Sequence, residues 1–517
     1  MPKSLTRTEH VAKNAIYGVL SQMISTLLHF ISRTVFIYIL GKEYLGVNGL
    51  FTNILLILSF AELGIGNAMI FSMYKPLKDN NKEKLCSLLD LYKKAYRYIG
   101  IFIIVVGLSL IPFLKYLIHG SAPNIKENIS IIYVIFLANT VISYFYVYKQ
   151  SLIIADQNNH ITIAYTQIFE CIQIILQISI LFIFHDFILF LLIQFVSLFL
   201  LNITLARKAD RMYPFIKTNK IEPLKRQEKI DIFKNVRALA VYKFASVVLN
   251  GTNNIILSLL FNIGVVGVFC NYMLFIQFFS SFLGKITNSF TASIGNLNTE
   301  ANPQKQRLVF NQLFLICVWL FGLSSIGLLL LHKDIITIWI GEDYVFDYPI
   351  VLAIVVHFYI NAVSFAAYTY RTTLGLFVQG QIAPAIAAVL NIILSIVLGK
   401  SIGVAGVFWA TAISRFVTMG IVDPVLVYTR ALKTHPCYYY LMYFKYVIYL
   451  IGIYIISKYL ISLVHFSGIG AIIIKMAIIF IVFNTLMLIV TCRTKEYIGL
   501  KNSLVSILNS KRNVANP

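Results

Sequence analysis

Residues 30–40 read FISRTVFIYIL, an apolar run of helical length with an arginine inside it. A guanidinium at membrane depth costs at least about 2.5–3.5 kcal/mol on insertion scales. A charge kept there at that cost is expected to bind something. Further charges stand in or beside apolar runs: Glu62, Arg97, Lys149, Lys243, Lys285, Arg371 and Arg415. Arginine offers a planar fork to two phosphate oxygens, and lysine a compact point charge. Cations facing an interior cavity would take a partly dehydrated anion and exclude organic cations.

The elements that must carry these charges are set by composition. Of 517 residues, 59% are hydrophobic and 12% charged. A hydrocarbon core about 30 Å thick needs about 20 apolar residues per helix. Runs such as IFIIVVGLSLIPFL supply them repeatedly, so the chain reads as an all-α polytopic membrane protein. A transmembrane barrel would show short alternating strands instead. Spans are expected at about 15–40, 44–71, 95–117, 128–154, 160–184, 187–206, 238–262, 265–293, 308–331, 346–370, 379–399, 403–428, 441–463 and 468–491, fourteen in all.

The net charge of +22 reflects the positive-inside rule rather than nucleic-acid binding. With the N-terminus inside, 31 of the 43 Lys and Arg fall in cytoplasmic segments and 6 in outer loops, the rest lying within spans. That ratio places both termini in the cytoplasm. The longest hydrophilic segment, 207–237, is then a basic cytoplasmic linker able to touch anionic headgroups. Six scattered cysteines give no disulfide framework or metal site. No G-x-S-x-G, H-E-x-x-H or phosphate-binding glycine loop appears, so no catalytic residue and no enzyme activity is expected.

The chain also repeats itself. A shift of 221 residues lays the segment that begins AKNAIYGVLSQ on the one that begins FKNVRALAVYK, with Gly46-Val47 meeting Gly267-Val268. A shift of 222 brings Lys149 onto Arg371, and Gly66-Asn67 recurs as Gly295-Asn296. Each repeat has an even number of spans, so both share one orientation. The expected fold is two six-helix bundles related by a pseudo-twofold along the membrane normal, plus two C-terminal helices. The expected divisions are 1–206, 207–237, 238–430 and 431–517.

RTVFIYILGKEYLGVNGLFTNILLILSFAELGIGNAMIFSMYKPL resembles the first two helices of Wzx-type polysaccharide-unit flippases, of the multidrug/oligosaccharidyl-lipid/polysaccharide exporter superfamily. NNIILSLLFNIGVVGVFCNYMLFI, TASIGNL and YRTTLGLF resemble the same family. The resemblance implies a transporter of the bacterial cytoplasmic membrane that passes undecaprenyl-diphosphate-linked oligosaccharide from the inner to the outer leaflet by alternating access. The implied partners are that lipid-linked oligosaccharide, membrane lipids and polysaccharide polymerase machinery. A peptidoglycan lipid-precursor flippase and a multidrug exporter are the alternatives within the superfamily, and a membrane glycan polymerase or ligase the one outside it. Relatives often carry an acid in a TDN pattern early in the second lobe; this chain reads TNN, with Asn253 there. No cofactor is expected, and Na+ or H+ coupling is left open.

Depth sorts the charges. Arg33 lies about 10 Å inward from the outer end of its span, and Glu62 and Lys285 about 27 and 30 Å. Arg33 and Glu62 therefore do not pair, whereas Glu62 and Lys285 share a level and are candidates for an ion pair or a coupling site. Arg33, Lys243, Lys285, Arg371 and Arg97 are the candidate substrate-binding cations.

Overall fold

The computed structural model describes residues 7–62, 65–118, 125–218, 226, 230, 248–249, 251–288, 294, 302–374, 376–380 and 382–502. Side chains are described from residue 24, with gaps at 67, 115, 285, 286, 288, 377 and 378. Every regular element among these residues is a helix.

The first span is the helix Arg7–Leu40, which ends at Gly41. Gly41 has φ +89°, a left-handed value that glycine adopts without strain, and the second span starts at the next residue. The later long spans are Lys42–Glu62, Lys82–Phe113, Asn159–Phe184, Phe187–Met212, Ile263–Gly284, Pro303–Ile340, Tyr348–Thr373, Ile382–Ile402, Val404–Arg430, Cys437–Ser462 and Ile469–Thr491. Between the third and fifth, Ile129–Phe145 and Val147–Ala155 form one span bent by 51°. Residues 248–249 and 251–260 are the described helical residues of span seven. Among the described residues eleven helices are long and apolar enough to cross a membrane, or twelve with the bent pair, which is roughly consistent with the fourteen expected, and the protein is a multi-pass membrane protein.

Local chemistry sets the boundaries. Asp186 and Asn302 accept hydrogen bonds from Leu189 N (2.8 Å) and Lys305 N (3.1 Å), capping spans six and nine. Pro303, at the first position of span nine, has no N–H to leave unsatisfied.

The chain packs as two compact units, Met1–Cys270 and Asn271–Pro517. Most of the basic linker expected between the lobes lies outside the described residues. Lipid tails are as apolar as leucine, so helix association inside a membrane rests on close packing. In the second unit Gly406 lets spans eleven and twelve touch, since a Cβ there would overlap the Leu398 carbonyl. Asn391 Nδ2 donates to Thr411 Oγ1 across the same seam at 2.9 Å. Phe310, Phe314, Tyr370, Tyr428 and Tyr439 form an aromatic core beside it.

The first unit contains a contact that repeats itself. A Cβ on Gly46 would overlap the backbone of Ile263, and one on Gly267 would overlap that of Lys42. Adding 221 to 42 and 46 gives 263 and 267. The two approaches are therefore one contact seen from both sides, as a twofold between equivalent helices requires. The same shift carries Ser143, where span four breaks, onto Ser364, where span ten breaks.

Candidate functional site

Arg33 lies seven residues before the end of the first span. Its guanidinium stands beside Cys270, at the end of the first unit. The Cys270 thiol hydrogen-bonds the Asn254 side chain, and Asn254 Nδ2 donates to Gly49 O at 3.3 Å. Gly49 makes this packing feasible, because a Cβ there would press on both Cys270 Sγ and Asn254 Nδ2. Asn254 is the residue onto which the 221-residue shift carries Arg33, 33 and 254 being one shift apart. The two repeats thus bring equivalent polar positions to one place.

Arg33 Nη1 is buried and has no hydrogen-bond partner among the described residues, and neither has Asn254 Oδ1. No carboxylate pairs with Arg33 among the described residues. A dehydrated cationic donor left open in this way is costly. An incoming anion would satisfy it, and the guanidinium fork suits phosphate oxygens.

The other sequence-predicted cations have different surroundings. Arg371 is fully buried, its Nε 2.9 Å from Asp423 Oδ1. Its Nη1 donates to Leu376 O at 3.3 Å, and Tyr368 offers its ring 5.4 Å away. Gly380 closes the site, since a Cβ there would collide with Nη1. Asp423 therefore supplies the counter-charge that Arg371 needs. Lys149, its repeat counterpart, sits astride Asp210 at 2.7 and 2.8 Å. Arg97 is exposed and near Tyr148. Lys243 and the Lys285 side chain lie outside the described residues, and with them the expected pairing of Glu62 and Lys285. Arg415 donates to Asn361 Oδ1, and Lys475 pairs with Asp334 at 2.5 Å.

Glu62 ends a short 3₁₀ turn, Ser59–Glu62, that interrupts the second span. Its carboxylate accepts from the Tyr96 hydroxyl. Tyr96 hydrogen-bonds Tyr92, and the Tyr92 hydroxyl lies 3.1 Å from Ser151 Oγ. The rings of Tyr92 and Tyr96 meet edge-on at 4.6 Å, and Tyr144 lies 5.5 Å from Tyr96. Gly66 leaves room for Glu62 Oε1 and both hydroxyls. A hydrogen-bonded chain thus joins the break in span two to the bent span four.

Sequence reasoning missed three groups: Asp423, Asp210 and a cluster of Ser25, His29 and Glu170. His29 Nε2 lies 2.8 Å from Glu170 Oε1, and Ser25 donates to Glu170 Oε2. A signal was present, since Glu170 interrupts the apolar run IFECIQI and Asp423 interrupts IVDPVL. Among the described residues no group of three or more His, Cys, Asp or Glu is placed to hold a metal ion.

No family model matches the chain, and no curated protein matches it in sequence. Solved structures match its fold. The lipid II flippase MurJ in an inward closed conformation superposes with TM-score 0.64 at 16% identity, covering 92% of this chain and 98% of that one. An inward-facing multidrug-resistance transporter of the MATE family, in the MOP superfamily, gives 0.62 at 13%, covering 79% and 96%. A MOP-superfamily transporter from Pyrococcus furiosus, described as having a binding pocket of reversed polarity, gives 0.52 at 13%, covering 83% and 97%. The likeness is one of fold.

Proposed function

We propose that this protein is a flippase that carries a lipid-diphosphate-linked oligosaccharide across the bacterial cytoplasmic membrane, for the synthesis of a capsule, exopolysaccharide or O-antigen. The observation that carries this reading is Arg33, a guanidinium inside the first unit with a buried donor that no described residue satisfies. A cargo diphosphate supplies the missing acceptor. An organic cation would be repelled there, which disfavours a multidrug exporter. Lys243, Lys285 and Arg97 are proposed to assist at other depths, while Arg371 acts through its pair with Asp423. The proposed mechanism is alternating access by the two repeats, without ATP chemistry and without a catalytic residue. Glu62, in its tyrosine cluster, is the proposed site for coupling to Na+ or H+. Both termini are proposed to face the cytoplasm, and a polysaccharide polymerase assembly is the proposed recipient of the cargo in the outer leaflet.

One observation favours a second reading, a peptidoglycan lipid-precursor flippase. The match to MurJ extends over 92% of the chain, whereas the two other transporters match 79% and 83%. Both readings share a polyprenyl diphosphate and differ in the sugar. Depleting the protein and locating the stalled lipid intermediate tests them. Build-up of lipid-linked repeat units in the inner leaflet is expected. Build-up in the outer leaflet would favour a polymerase and sink the reading, and build-up of peptidoglycan precursor alone would establish the second. Arg33→Lys is expected to restore part of the transport that Arg33→Gln removes, because the charge stays but the fork is lost.

A further inference from the structure

Ser25, His29 and Arg33 stand four residues apart on the first span, so they lie along one helical face. The first two close on Glu170 of span five. His29 lies eleven residues from the outer end of its helix and Glu170 fourteen from the outer end of its own, about 16 and 21 Å deep. An acid and an imidazole meeting near mid-membrane are an expensive arrangement for structure alone. Glu170 accepts through both oxygens, one from Ser25 and one from His29 Nε2, which is the arrangement of an ionised carboxylate. The imidazole is then the group that changes charge, through its second nitrogen.

We propose that His29 and Glu170 form a proton-binding site linked to the anion site at Arg33, so that the cargo diphosphate and one proton are taken up together. This rests on the anion reading of Arg33. With His29 neutral, the pair carries one negative charge about 6 Å along the helix from Arg33 and opposes an anion there. With His29 protonated, the pair is neutral and the opposition is gone. Anion affinity therefore rises as pH falls, and by linkage a bound anion makes His29 easier to protonate. The proton comes from water and no bond is made or broken elsewhere. The consequence is charge compensation, since a dianion beside Arg33 and a protonated His29 presents less net charge to the bilayer.

Among the described residues the groups around His29 are few. Span five brings Glu170 and, next to it, Cys171. Span two carries its charged residues Lys42, Glu43 and Glu62 at its two ends. Span eight brings Cys270 to Arg33. None of these but Glu170 holds a charge at the level of His29.

The test uses the full-length protein in nanodiscs with farnesyl diphosphate as the probe. Binding is measured from pH 6 to 8, and proton uptake is followed with an indicator dye in weak buffer. The wild type is expected to bind about tenfold tighter at pH 6 than at pH 8, beyond what the probe's own titration gives, and to take up about one proton. His29→Gln should bind with the probe's pH dependence only and no uptake. Glu170→Gln should bind tighter at pH 8, having lost the opposing charge. Ser25→Ala keeps both titratable groups and should keep the linkage, which separates it from damage to the fold. If His29→Gln retains the wild-type profile and uptake, the linkage is wrong even where Arg33→Gln abolishes binding. If the wild type does not bind the probe, both the linkage and the anion reading fall.

Discussion

The Glu62 cluster has a counterpart in the second unit that does none of the same chemistry. A shift of 221 carries Tyr92, Tyr96 and Tyr144 onto Leu313, Cys317 and Phe365; Glu62 falls on Leu283 by the same shift, and on residue 291, outside the described residues, by the shift of 229 that aligns Gly66-Asn67 with Gly295-Asn296. Leu283, Leu313 and Cys317 are buried in the apolar core of the second unit, and Phe365 packs against it. The corresponding positions of the second unit belong to its large apolar core. One repeat fills them with a carboxylate and three phenols, the other with a hydrocarbon and thiol core. The fold accepts either filling. The polar version, with its interrupted helix, is a candidate for the proposed transport role.

A second pair of equivalent places differs less in kind than in burial. Arg371 and Asp423 are 1% and 2% exposed, whereas Lys149 and Asp210 are 17% and 13% exposed. Breaking a dry ion pair leaves an uncompensated buried charge, which costs about 3–5 kcal/mol, whereas a partly wet pair costs nearer 1 kcal/mol. Arg371→Met should thus produce the largest destabilisation of all these variants, and Lys149→Met a small one. Reversible unfolding in mixed detergent micelles measures both. Equal losses in the two variants would show that the difference in exposure has no energetic meaning. The double variant Arg371→Met with Asp423→Leu should recover most of the loss, because removing both charges removes the orphan.

The close approach of Gly46 to Ile263 and of Gly267 to Lys42 gives a sharper test of symmetry. Alanine at either glycine forces the same two backbones apart, at a cost of about 1–3 kcal/mol. Gly46→Ala and Gly267→Ala should be destabilised alike, and the double variant by less than their sum, since the first has already opened the contact. Gly327→Ala is the control: nothing lies within 4 Å of its would-be Cβ, and its stability should change by less than about 0.5 kcal/mol. A large difference between Gly46→Ala and Gly267→Ala would remove the claim that this contact lies on the repeat axis.

Much of this fold was legible because membranes simplify the code. Backbone groups in hydrocarbon must be satisfied within the segment, so length and hydropathy locate the helices. The repeat was legible because Gly46 and Gly267 cannot be anything larger where two backbones touch, and so the alignment kept them. The site was less legible. Depth along a helix can be read from residue counts, which is why Arg33 and Glu62 are not expected to pair; Glu62 meets Tyr96 and Arg33 stands beside Cys270. Which way a side chain points around the helix cannot be read when the whole surface is apolar. Arg371 and Arg33 look alike in sequence, yet one finds Asp423 and the other finds no carboxylate among the described residues. The partner of Arg371 lies on a different span, 52 residues away at Asp423. Breaks were hidden too: Ser143 and Ser364 interrupt their spans without a proline or glycine to announce it.

The comparison between the two fillings predicts one further variant, with the smallest expected effect on stability. In Glu62→Leu, Tyr92→Leu, Tyr96→Cys the first unit receives the residues that the second unit already carries at the equivalent places. Replacing these three by apolar groups removes the charged acceptor with its donors, and Ser151 Oγ still donates to Val147 O, so the change in stability should stay within about 1–2 kcal/mol. Replacing only Tyr96 by Phe removes a donor from a charged acceptor and should cost as much or more, about 1.5–3 kcal/mol, although it changes a single oxygen. Transport should respond in the opposite order. The triple variant is expected to lose more than tenfold in complementation of a deletion strain, while Tyr96→Phe keeps Glu62 and retains part of the activity. A triple variant that folds and transports like the wild type would show that the carboxylate and phenols are as dispensable in the first unit as they are in the second. The break at Ser59–Glu62 would then need another explanation, one lying in the backbone and not in the hydroxyl chain.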